Sequence, residues 1–151
     1  MNIKILSRTK AIKLSYKDLM GTKVIISISD PESERAHFNE ENKSIKEVIY
    51  LNFYDISEET KSIFGESGLM TADDAVKIAR FVIKWKDIVD TIWVNCEVGV
   101  SRSAGVAMAI MEYLNMDLKP ITESTTYYPN MLCYELTQKA FKDLQRRNND
   151  I

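Results

Sequence analysis

The sequence predicts an α/β fold in which a mostly parallel central sheet of four to five strands is flanked by helices. Three observations point there. Short runs rich in Val and Ile alternate along the chain with longer stretches of helical periodicity. The short runs are almost continuously apolar, as in strands covered on both faces, where strict alternation is lost. One helical stretch is apolar nearly all round, which requires it to lie inside the protein.

The elements follow in order. Asn2–Leu6 alternates weakly and reads as a strand, and Val24–Ile28 is an apolar run flanked by polar residues. The charged stretch Glu32 to Lys46 reads as a solvated connection to a third strand, Val48–Phe53. Asp55–Met70 is acidic, carries Gly65 and Gly68 and has no sustained periodicity, so a surface loop is expected. Ala72, Ala75, Val76, Ala79, Val82 and Ile83 recur at helical spacing behind a Thr71/Asp74 capping pair. Thr91–Asn95 is the fourth strand. Ser103–Leu114, with Glu112 as its only charge, is the buried helix. After Pro129, Cys133, Leu136, Ala140, Phe141 and Leu144 form one apolar face of a last helix, with Lys139, Lys142 and Arg146 opposite. Pro31, Pro120 and Pro129 all sit in turn-like surroundings, and neither repeat nor linker interrupts the chain, so residues 1–151 read as one domain.

Composition narrows the function classes. With 151 residues, 45% of them hydrophobic, a core sufficient for folding is available without disulfides. Twenty basic and 22 acidic side chains give a net charge of -2, and only Arg146–Arg147 forms a basic pair, so counterion release offers little nucleic-acid affinity. The longest apolar-rich run, Ala104–Met111, is far short of a bilayer span of about 20 residues, and Met1–Lys10 lacks the apolar run of a signal peptide. Two cysteines are too few for a secreted scaffold or a metal site. A monomeric cytoplasmic protein is expected, with no nucleic-acid or membrane partner, no metal and no organic cofactor.

The segment Asn95-Cys96-Glu97-Val98-Gly99-Val100-Ser101-Arg102-Ser103 carries the chemistry. It runs from a strand end into the buried helix, which is where α/β sheets bind ligands. A tight loop entering a helix turns successive backbone N–H groups toward one point, and the helix N-terminus adds about half a positive charge there. Glu97, Val98, Gly99, Val100, Ser101 and Arg102 therefore form an anion cup suited to a phosphate dianion. The same field favours the thiolate of Cys96. Arg102 supplies a permanently charged planar fork, and Ser103 is placed to donate to the sulfur when it leaves. A Cys-x5-Arg spacing alone arises by chance in roughly one such sequence in ten; the internal glycine, the following serine and the strand-to-helix setting make the combination far rarer.

Cys96-x5-Arg102-Ser103 in this setting resembles the signature of the cysteine-dependent protein tyrosine phosphatases, and the length and layout resemble the small dual-specificity branch most. The likeness covers about Val48 to Leu144, including Tyr128-Pro129-Asn130 ahead of the last helix. It implies a dual-specificity-phosphatase-like fold and a two-step reaction through a phosphocysteine. In that reaction Cys96 is the nucleophile, Arg102 the clamp and Asn130 a brace for the loop. It also implies an aspartate general acid on a loop upstream of the cysteine. Asp55, 41 residues ahead of Cys96, fits best; Glu58 and Glu59 are rivals, whereas Asp73 and Asp74 suit a helix N-terminus. Family members usually carry histidine where this chain has Asn95, whose amide can still brace the loop. The implied substrate is a phosphorylated protein or a small phosphomonoester: phosphotyrosine, with phosphoserine and phosphothreonine open. The alternative is a catalytically impaired module that only binds phosphate. Cys133, Trp85 and Trp93 read as packing, Tyr127 and Tyr128 as rim or turn residues, and His37 as a surface residue.

Overall fold

The computed structural model describes residues 1–57, 60, 61, 63 and 67–149. In chain order its elements are β1 (Asn2–Ser7), α1 (Arg8–Ser15), β2 (Lys23–Ser29), β3 (Ile45–Asn52), α2 (Ala72–Trp85), β4 (Thr91–Cys96), α3 (Arg102–Tyr113), α4 (Lys119–Thr122) and α5 (Met131–Asn149). Among the described residues the sheet has four strands in the order β1-β4-β2-β3, every pair parallel. All four strands therefore end at one edge. Ser7 stands beside Cys96 and Asn95 beside Ser27, so the segments that follow the strands converge at that edge.

The two faces of the sheet are covered unequally. Val24, Ile26, Ile28, Ile92, Val94 and Cys96 face the main core, packed with Ile78 and Val82 of α2, Val106 and Ile110 of α3, and Phe141 of α5. Ile25, Trp93 and Leu6 face the other way, against Ala11 of α1 and against Ala36 and Phe38. That second cluster corrects the reading of Glu32 to Lys46 as merely solvated. Ala36 and Phe38 are buried because they join α1 in covering this face.

Helix α2 starts where the capping pair places it: Thr71 Oγ1 accepts from the Asp74 amide at 3.1 Å, and an Asp74 carboxylate oxygen accepts from the Thr71 amide at 2.9 Å. Helix α3 is buried from Arg102 to Met111, as its all-round apolarity requires. Helix α1 carries too little apolar patterning to announce itself: of its residues only Ala11 and Ser15 are buried, and it is started by Ser7, whose hydroxyl accepts from the Lys10 amide. Within the expected loop Asp55–Met70, Thr60, Lys61 and Ile63 are helical, following a turn in which the Lys61 amide donates to the Ser57 carbonyl. No helix among the described residues is long and apolar enough to cross a membrane.

Candidate active site

Cys96 is the last residue of β4 and is buried. Its Sγ lies 3.1 Å from Ser103 Oγ and accepts the Gly99 amide at 3.3 Å. Ser103 sits in the first turn of α3, so the sulfur faces a helix N-terminus, where partial positive charge collects. Gly99 has φ +77°, and a Cβ there would come within 2.6 Å of the Ser7 amide nitrogen. Only glycine takes this conformation at low cost while pressed against the end of β1.

Backbone hydrogen bonds brace the loop along its length. The Arg8 amide donates to Glu97 O at 3.2 Å, the Tyr128 amide to Val100 O at 3.0 Å and the Asn130 amide to Ser101 O at 3.0 Å. Ser101, which precedes α3, does not cap it. Its hydroxyl turns away and donates to Asp55 Oδ1 at 2.8 Å.

Arg102 is 5% exposed, and its Nη1 donates to Asp30 Oδ1 at 2.8 Å and to Phe53 O at 2.7 Å. One nitrogen of the guanidinium is thus held by the segments that follow β2 and β3. Asp30 is a site residue that sequence reasoning missed. It follows β2 and precedes Pro31, which reads as an ordinary turn; only the order β4-β2 places it beside the end of β4.

Asp55 and Asn130, 75 residues apart, meet at 2.8 Å through Asn130 Nδ2 and Asp55 Oδ1. The same amide nitrogen donates to Ile56 O at 3.1 Å, while Asn130 Oδ1 accepts from the Cys133 amide and so caps α5. Asp55 Oδ2 has no hydrogen-bond partner among the described residues. Glu58 and Glu59, the rivals for the acid role, lie outside the described residues.

The cleft above the loop has a volume of about 730 Å³ and is lined by Asp30, Tyr54, Asp55, Ile56 and Ser67 together with Glu97, Val98 and Arg102. Hydrogen bonds join Cys96 to Ser103, and Ser101 and Asn130 to Asp55, while Asp55, Arg102, Glu97 and Val98 line the cleft itself.

Asn95 departs from expectation: its amide does not brace the loop. Successive residues of a strand face opposite ways, so with Cys96 turned toward α3, Asn95 points to the other face of the sheet. It is fully buried there, and among the described residues neither its Nδ2 nor its Oδ1 finds a hydrogen-bond partner; the Oγ of Ser27, its neighbour in register, has none either. Cys133 is packing, as expected. Burial, with the charge of Asp55 second, pushes its thiol well above the ordinary range, which keeps it protonated. Among the described residues no three His, Cys, Asp or Glu side chains group so as to hold a metal.

No family model and no curated protein matches the sequence. Solved structures do. The human tyrosine phosphatase-like serine/threonine/tyrosine-interacting protein superposes with a TM-score of 0.66 at 18% identity, covering 95% of this chain and 93% of its own. The fold is that of the dual-specificity phosphatases. Human DUSP28 matches with a TM-score of 0.59 at 13% identity, over 96% of this chain and 94% of its own. PTPMT1 in complex with PI(5)P matches with a TM-score of 0.59 at 15% identity, over 97% and 94%. At these identities the likeness is one of dual-specificity-phosphatase fold.

Proposed function

We propose that residues 1–151 form one phosphatase domain that hydrolyses phosphomonoesters through a phosphocysteine. The observation that carries this reading is the pairing at Cys96: a sulfur at a helix N-terminus, bonded by the Gly99 amide and Ser103, in the cup whose rim holds the anchored Arg102.

In the first step the Cys96 thiolate attacks phosphorus and an S–P bond forms. The P–O bond to the leaving group breaks, its electron pair goes to the leaving oxygen, and Asp55 delivers a proton there. Arg102 and the loop amides carry the charge on the equatorial oxygens. In the second step water attacks phosphorus, Asp55 takes its proton and the S–P bond breaks. Ser103 then donates a hydrogen bond to the returning thiolate. Oδ2, unbonded among the described residues, suits Asp55 to this proton traffic, because Oδ1 is already held by Ser101 and Asn130. Arg102, already paired with Asp30, is the only cationic side chain among the described residues lining the cleft, which favours one phosphate on a protein side chain over a phosphoinositide, the ligand of one structural neighbour. Phosphotyrosine is the first choice, with phosphoserine and phosphothreonine admitted at a shallow mouth. A cytoplasmic monomer that uses no cofactor is part of the same reading.

Turnover of p-nitrophenyl phosphate tests it. The wild type should hydrolyse it, and Cys96→Ser should lose at least about 1,000-fold. In Asp55→Asn the basic limb of the pH–rate bell should vanish; an intact limb would move the acid role to Glu58 or Glu59. The unbonded Asn95 amide favours a second reading, a module that binds phosphate without cleaving it. Phosphopeptide binding by a wild type with no turnover would decide for that.

A further inference from the structure

We infer that the cleft selects a singly phosphorylated peptide whose residues beside the phosphoamino acid are basic. The inference rests on the phosphatase reading and deepens it to a substrate class.

The cleft is bipolar. Its floor attracts one anion through the loop and Arg102, while its walls carry the opposite charge. Asp30, Asp55 and Glu97 line it, Asp55 carrying the proton it delivers in the first step, and Arg102 is the single cation among the described lining residues, already paired with Asp30. A fourth carboxylate, Glu32, is held beside the cleft by the lining residue Tyr54, whose hydroxyl donates to it. Tyr54 is itself seated: its amide donates to Gly68 O at 2.7 Å, and its ring lies so close over Gly68 that a Cβ there would sit 2.4 Å from Cδ2. The Tyr54 hydrogen bond also holds the Glu32 carboxyl below the usual range, so Glu32 is anionic at neutral pH.

A phosphate on the floor leaves its flanking groups among Asp30, Glu32 and Glu97. A second phosphate, as on an inositol headgroup, would meet like charge there, whereas a lysine or arginine would be attracted. Because these carboxylates are at least partly exposed, the attraction is screened by salt.

The experiment compares kcat/KM for two phosphotyrosine peptides that differ only in lysine or glutamate flanks, at low and at high salt, with p-nitrophenyl phosphate as the uncharged-flank reference. Micelles of a short-chain phosphatidylinositol monophosphate are assayed beside them. The lysine-flanked peptide should lead by about 10-fold at low salt, with the lead shrinking at high salt. Glu32→Gln should cut that lead by about 3-fold and leave the p-nitrophenyl phosphate rate unchanged. Equal rates on the two peptides, a lead for the acidic one, faster turnover of the micelles, or an unchanged lead in Glu32→Gln would each overturn the inference. If p-nitrophenyl phosphate is hydrolysed in those cases, the phosphatase reading survives alone; no hydrolysis of any phosphoester overturns both.

Discussion

Arg102 shows how one side chain depends on residues far from it in sequence. A guanidinium has five N–H donors in a fixed plane, and here Nη1 is used by Asp30 and by the Phe53 carbonyl, which sets the plane and leaves the other nitrogens for a ligand. Lysine has neither the plane nor the second donor group. Arg102→Lys should therefore lower kcat/KM for p-nitrophenyl phosphate by about 100-fold or more, read from steady-state kinetics. Asp30→Asn keeps the size of the partner and removes its charge, so it should raise KM several-fold with a smaller change in kcat. Equal kinetics in Asp30→Asn and the wild type would show that Phe53 O alone sets the plane. At this scale the Cys96–Arg102 spacing and its strand-to-helix setting were legible, because both are local. Asp30 was not, since nothing within its own stretch of chain distinguishes it from a turn aspartate.

Small side chains let α3 approach the start of α5. A Cβ on Gly105 would lie 2.3 Å from the Asn130 carbonyl oxygen, so the contact exists only because that position has no side chain. Asn130 in turn holds Asp55 and caps α5, so a push at Gly105 displaces an element that serves the site. Gly105→Ala should destabilise the fold by about 2–4 kcal/mol, measured by urea unfolding, despite the gain in helix propensity from alanine. An unchanged midpoint would mean that α5 can retreat freely. Among the elements, α2 was legible from its capping box and its apolar stripe. Helix α1 was not: its strongest signals are a serine cap and two buried residues, too little to distinguish from loop. The buried part of the connection to β3 escaped for a related reason. Ala36 and Phe38 are isolated apolar residues in a charged stretch, and their burial depends on the sheet face that waits for them.

On the scale of the molecule, α3 and α5 are joined at their solvent side by Glu112, which accepts from Tyr134 Oη at 2.6 Å and also from Gln138 Nε2. These bonds, the one from Tyr134 first, hold the Glu112 carboxyl below the ordinary glutamate value of 4.5. A lowered folded value means stability that is complete above the unfolded value and is lost as pH falls through the folded one. The wild type should accordingly be more stable than Glu112→Gln at pH 7, and the gap should close below about pH 4.5 in urea unfolding series. Tyr134 works in the opposite sense: burial, with Glu112 second, pushes its hydroxyl up to about 12 from 10.0, so its contribution is present at neutral pH and lost as pH rises toward that value. A gap that stays constant with pH would leave the Glu112 contacts without weight.

The sequence by itself determined the fold class, the buried helix and the pairing of a thiol with a guanidinium six residues on, because strand and helix periods, caps and loop spacing are all written within a few residues of one another. The tertiary structure alone decided which residues surround that pair. Parallel strands in the order β1-β4-β2-β3 carry Asp30, Phe53 and Asp55 to the end of β4, and the return of α5 carries Asn130 to the same place. It also turned Asn95 away from the loop it precedes, since on a strand the face a residue takes follows from the side its neighbour takes. Contacts between residues distant in sequence depend on strand order and packing, and no window of a single chain segment contains them.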